Sequence, residues 1–249
     1  MDEFISAFRK MLEKLDTDLK CIKEESLLED LESISSDLTL NIREDNESNL
    51  TLRCIIAYVL HELVKKNYGS PDPLYTYNYQ VDLTSSKWSK VSPLMNDHST
   101  VAICIGPYIK TWWDLVYEMA HETVHTLNPI LEIGLPYNSL EEGVAVKFAE
   151  EVFENYLSNY APMSVAYSSP RKTFDQTNNY LTAYKAAKKI PNEKLKEIRD
   201  KFGSFGKIDN FENFYKLIEG YVGTEEAQTL FRNFIDPANR LKEDPRVGY

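Results

Sequence analysis

Residues 111–127 read TWWDLVYEMAHETVHTL, and the rest of the chain is best read outward from them. Thr111 is of a type that caps helix N-termini, and Asn128-Pro129 stops a helix near Leu127. Inside the span, His121-Glu122-Thr123-Val124-His125 forms an H-E-x-x-H sequence in mid-helix. At about 100° per residue, His121 and His125 lie about 40° apart around the axis, so both imidazoles reach one metal ion. Zinc favours such nitrogen ligands at about 2.0–2.1 Å. Glu122 projects at a neighbouring angle and can contact a water on that metal without being a ligand. Zinc acidifies the water, and the carboxylate takes its proton as the water attacks a carbonyl. The chain has four histidines in 249 residues; chance predicts about 0.006 such motifs in a shuffled sequence. The plainer reading is a surface helix with two histidines one turn apart. Against it stands the uncharged setting, with Met119 and Ala120 before the motif, Thr123 and Val124 inside it and Leu127 after it.

The other two histidines lack such a partner. His61-Glu62-Leu63-Val64-Lys65 begins the same way, but lysine holds the second ligand position. His61 therefore reads as a helix-surface or packing residue. His98 reads as a loop histidine at the surface, with a place at the rim of the site as the alternative.

A catalytic zinc takes three protein ligands and keeps a fourth position open. No histidine or cysteine follows His125, so a downstream third ligand must be a carboxylate. Glu142 is the best placed, at the start of a helix predicted from about Leu140 to Leu157. Sixteen residues separate it from His125, enough to end one helix, turn and bring back the next. Glu141 and Glu132 are the alternatives. Glu142 also has a competing role, because Ser139-x-x-Glu142 matches a capping box in which the glutamate bonds back to the Ser139 backbone N–H.

An H-E-x-x-H helix followed on the next helix by Glu142-Gly143-Val144-Ala145 resembles the gluzincin branch of the zincin metallopeptidases. The likeness covers residues 112–149. It implies His121, His125 and Glu142 as zinc ligands, Glu122 as general base, and a peptide or protein substrate. The glutamate before glycine follows Glu141, where one large aminopeptidase group has asparagine, so aminopeptidase specificity is not implied. Zincins place an edge strand beside the zinc, where substrate adds as a further strand; Val101–Ile105 is the candidate, with core packing as its equal alternative. They also stabilise the oxyanion with a tyrosine or histidine. With no histidine downstream, Tyr180 and Tyr184, one turn apart on a C-terminal helix, are the candidates, with packing as their other explanation. Glu118, one turn before Glu122, can orient a ligand or raise the general base's pKa by like-charge repulsion; a solvated or salt-bridged glutamate is the plainer reading. Arg171 is placed to bind a substrate carboxylate or to sit at the surface.

Around this centre the periodicity predicts an α+β class, a mostly helical zincin-like fold with a small sheet ahead of the active-site helix. Phe4, Phe8, Met11, Leu15, Leu19 and Ile22 recur at helical steps, and Leu27, Leu28, Leu31 and Ile34 continue in a second register. Residues 43–49 read as a loop and 50–67 as a helix, with Gly69 at its C-terminal cap. Tyr75, Tyr77, Tyr79, Val81 and Leu83 alternate with polar residues, as in a half-buried strand. A loop with Pro93, Asn96 and Asp97 then leads to an apolar strand at 100–105. From Lys172 on the chain reads as helical, with breaks near Pro191, Gly203–Gly206 and Gly220–Gly223. Three regions result: an N-terminal helical one (1–70), the sheet with the zinc-binding helices (71–170) and a C-terminal helical one (171–249). They are expected to form one compact unit with a cleft.

Composition bounds the function. A net charge of −11 disfavours binding to nucleic acid, whose phosphates need a basic surface. No apolar run reaches the roughly 20 residues of a membrane span, and the first residues lack a signal peptide's basic and apolar regions. Cys21, Cys54 and Cys104 sit in apolar patterns and read as buried thiols, which points to the cytoplasm. A metallopeptidase is the leading expectation. A zincin-fold binding or regulatory protein with weak or no hydrolytic activity is the alternative, although it would not need an intact Glu122. A helical interaction protein with an accidental motif is a third reading, supported by the amphipathic N-terminal helix.

Overall fold

A computed structural model describes residues 2–19, 31, 38–39, 41–83, 89–130, 136–157 and 179–234. It is mostly helical with a three-stranded sheet, an α+β arrangement. In order come α1 (Asp2–Leu19), α2 (Glu47–Tyr68), β1 (Thr76–Asp82), β2 (Lys90–Leu94), β3 (Asp97–Cys104), α3 (Trp112–His125) and α4 (Ser139–Val152). A π-helical turn at Phe153–Leu157 closes α4. Then follow α5 (Asn179–Ala187), α6 (Asn192–Phe202), α7 (Phe211–Ile218) and α8 (Thr224–Phe231). The chain gathers into two compact units. One is Met1–Leu131 with Phe148–Val165, the other Glu132–Lys147 with Ala166–Tyr249. No described helix is long and apolar enough to cross a membrane.

The first unit is built on α2 and α3. In α1, the predicted stripe buries Phe4, Phe8, Met11 and Leu15. Phe4 meets Trp113 edge-on at 4.8 Å and Trp112 at 5.7 Å, at the start of α3. Leu31 is helical and buried; Ile22, Leu27, Leu28 and Ile34 lie outside the described residues. The predicted 50–67 helix begins earlier because Asn46 caps it, its side chain accepting from the Asn49 N–H at 2.8 Å. Its C-terminal cap falls on Gly69 as expected, at φ 93°, where a side chain would be strained. Asn49 and Arg53 pin the preceding loop. Asn49 donates to the carbonyls of Asn41 and Glu44, and buried Arg53 holds the Ile42 carbonyl and the Asp45 carboxylate.

The sheet has the order β1-β3-β2, with β3 parallel to β1 and antiparallel to β2. Two expectations need correcting. The segment around Pro93 is not all loop: Lys90–Leu94 is a strand that turns at Met95-Asn96 into β3. Proline lacks the ladder donor, which hides a strand from sequence reading, and it is tolerated because β2 is an edge strand. Consequently 101–105 is not an edge. Val101 faces Tyr77 on one side and Pro93 on the other, so β3 is central and its ladder is already filled. Its unbroken apolar run reflects burial of Val101–Ile105.

In the second unit, α5 and α7 pack against α8, and α6 packs against α7. The breaks fall where the sequence places them. Pro191 precedes α6, and Gly203 ends it in the left-handed region at φ 78°. Cys54 and Cys104 are free thiols, the latter buried; Cys21 lies outside the described residues.

Candidate metal centre

The H-E-x-x-H helix is set by its cap. Thr111 accepts from the Asp114 N–H at 3.1 Å and returns its hydroxyl proton to the Asp114 carboxylate at 2.8 Å. From Trp112 to Val124 the helix is buried almost all round, as expected for a core helix. Its last turn tightens: the Thr126 N–H reaches the Thr123 carbonyl and the Leu127 N–H that of Val124. His125 is therefore the final helical residue, with His121 one turn back.

The ligand atoms of His121, His125 and Glu142 all lie within 4.8 Å of one another. His121 and Glu142 are buried, at 4% and 5% exposure, and His125 is half-buried. The two Nε2 atoms are 3.4 Å apart. That is long for a hydrogen bond between rings. It is a spacing that two nitrogens sharing one metal ion can take. Two imidazole nitrogens and one carboxylate oxygen, gathered and largely screened from water, are a donor set that fits a divalent metal.

Glu142 is delivered by the local structure of the segment before α4. Asn138 forms an isolated bridge with Asn233. The Phe234 N–H donates to the Tyr137 carbonyl at 2.7 Å, and the Ser139 N–H donates to the Arg232 carbonyl at 2.9 Å. The second bond argues against the capping-box reading of Glu142. In a capping box its carboxylate would receive the Ser139 N–H, but that donor goes to Arg232. Glu142 Oε1 instead accepts from the Tyr137 hydroxyl at 2.8 Å, and its Oε2 is buried as well. Gly143 has its own reason. A Cβ there would stand 2.8 Å from the Ala183 carbonyl oxygen and 3.0 Å from the Ala187 side chain, so α4 and α5 meet backbone to backbone.

The remaining candidates fall as follows. Glu122 is buried at 3% exposure on α3, next in sequence to His121. Glu141 is buried beside Glu142 but is not in the ligand group. Glu132 and Arg171 lie outside the described residues. Glu118 is buried and accepts from the Tyr108 hydroxyl at 3.3 Å, which in turn meets Ser89 Oγ at 3.0 Å. Tyr180 packs edge-on against Phe234 at 4.8 Å, and Tyr184 is buried with the Lys188 ammonium over its ring. His98 is exposed on β3. His61 is a packing residue, 4% exposed, with its ring 4.7 Å from that of Tyr77. Burial, with a smaller push from the Lys65 ammonium, lowers its pKa to about 4. Tyr137 is the residue that sequence reading misses. Its signal is weak, a tyrosine five positions before a glutamate, because the partner that orients it, Phe234, is remote in sequence. No protein-family model, curated protein or solved structure matches this chain.

Proposed function

We propose that the chain is a zinc-dependent metallopeptidase of gluzincin-like, zincin architecture. The observation that carries the proposal is the His121–His125–Glu142 group, whose atoms lie within 4.8 Å of one another. The burial of Glu122, next to His121 on the same helix, supports the hydrolytic part. Zinc held there would supply a Lewis acid that polarises a carbonyl and makes water acidic.

The chain's own residues do the rest. His121 and His125 are rigid donors, because both sit on a capped, buried helix. Glu142 adds a negative charge to the donor set. Glu122 takes the proton of the attacking water on its carboxylate and passes it to the leaving amine, so one residue serves as base and then acid. Burial keeps this carboxylate out of bulk water, which strengthens its electrostatic hold on the reacting atoms. Peptide as the substrate rests on the family resemblance. A substrate strand would add at the outer edge of β2, which packs against α3 and pairs with β3 on its other side. Tyr180 and Tyr184 are the proposed oxyanion donors.

Glu122→Gln tests the mechanism, since glutamine keeps the size and removes the base. On a peptide library cleaved by the wild type, the variant should retain metal and fold and lose about 10²–10⁴-fold in rate. Near-wild-type turnover would rule out Glu122 as the base. A metal-loaded wild type that cleaves nothing in the library would favour a binding role.

A further inference from the structure

The geometry points to Tyr137 as the positioning residue for metal loading, acting through Glu142 and held in place by the segment Arg232–Phe234. The inference rests on the metal-site reading above and adds a control point that the H-E-x-x-H pattern does not contain.

Three observations carry it. The Tyr137 hydroxyl donates to Glu142 Oε1 at 2.8 Å. A neutral hydroxyl orients a carboxylate without cancelling its charge, as partners of metal-ligating carboxylates do. The Tyr137 ring is fixed from the other side, stacked on Phe234 at 5.7 Å and 26° between planes, while Phe234 takes the edge of Tyr180 at 4.8 Å. The backbone is clamped as well. Beyond the two bonds to residues 232–234, the Asn138 N–H reaches the Gly206 carbonyl at 3.1 Å and its side-chain oxygen accepts from the Ile208 N–H at 2.7 Å. Its side-chain amide also donates to the Phe231 carbonyl. So many fixed contacts on three consecutive residues exceed what is needed to start a helix. They set the tyrosine hydroxyl, and with it the carboxylate, to one orientation.

Competitive chelation with zinc alone as the probe tests this. Tyr137→Phe keeps the ring and removes the hydroxyl, and should weaken zinc binding about 10- to 100-fold. Circular dichroism of the metal-free variant should match that of the wild type. In a Glu142→Ala background the same substitution should change affinity less than about twofold, because the group it acts through is gone. Phe234→Leu, which loosens the ring and leaves the hydroxyl, should weaken zinc in the same direction. Wild-type affinity in Tyr137→Phe would overturn the inference. So would an equal loss with and without Glu142. A wild type that binds no zinc is a separate result, seen before any variant is made, and removes the metal-site reading and this inference together.

Discussion

Gly143→Ala places a methyl group where α5 comes closest to α4. The new Cβ would lie 2.8 Å from the Ala183 carbonyl oxygen, 2.9 Å from its carbon and 3.0 Å from the Ala187 Cβ. Two of these three atoms are backbone, so no rotamer change relieves them. Helix propensity alone favours the change, since alanine in a helix interior gains about 1 kcal/mol over glycine. Overpacking works against it, at about 1–3 kcal/mol, and a backbone obstacle belongs near the upper end. The net expectation is a loss of about 1–2 kcal/mol. At about 2–4 °C per kcal/mol for a chain of this length, the midpoint of thermal unfolding should fall by about 2–8 °C. Calorimetry on metal-free protein reads this directly. Gly220→Ala is the control, because a Cβ there meets nothing within 4 Å, and should shift stability by no more than about 0.5 kcal/mol. A Gly143→Ala variant as stable as the wild type, or more so, would refute the close approach of α5, because propensity would then act unopposed.

Two further outcomes follow from the packing and the ligand set. His61 is buried neutral with its pKa lowered to about 4 from 6.5, so the unfolded chain takes up its proton first as pH falls; stability is lost from about pH 6.5 down to 4, by about 3 kcal/mol in all, and His61→Leu should flatten that part of a stability–pH profile. Glu142→Gln should weaken zinc strongly in a chelation assay while Glu141→Gln changes it little, and the reverse order would move the third ligand to Glu141.

The H-E-x-x-H helix is legible from local sequence, and features whose partners are distant are not. Thr111, His121, Glu122 and His125 obey local rules of capping and helical spacing, so their placement was legible from seventeen consecutive residues. Glu142 was legible through chemistry, because the chain offers no later histidine or cysteine. Its competing role in a capping box could not be dismissed from sequence, because the acceptor that takes the Ser139 N–H is Arg232, ninety-three positions on. Tyr137 was hidden for the same reason. The strand β2 was missed because Pro93 suppresses the local signal. The edge placement of β3 comes from the family resemblance, with core packing as its equal alternative. The central position of β3 depends on pairing, which periodicity alone does not encode. Gly143 stands in the sequence as part of a motif, but the reason for glycine there, the approach of Ala183, is a tertiary contact.

A metal held by His121, His125 and Glu142 is tested by metal content. Protein purified without added metal would be analysed for bound elements, wild type beside a His121→Ala, His125→Ala double variant. The wild type should carry about one equivalent of zinc per chain and the double variant almost none. A metal-free wild type that takes up no zinc on titration, or a double variant that keeps its full equivalent, would contradict it.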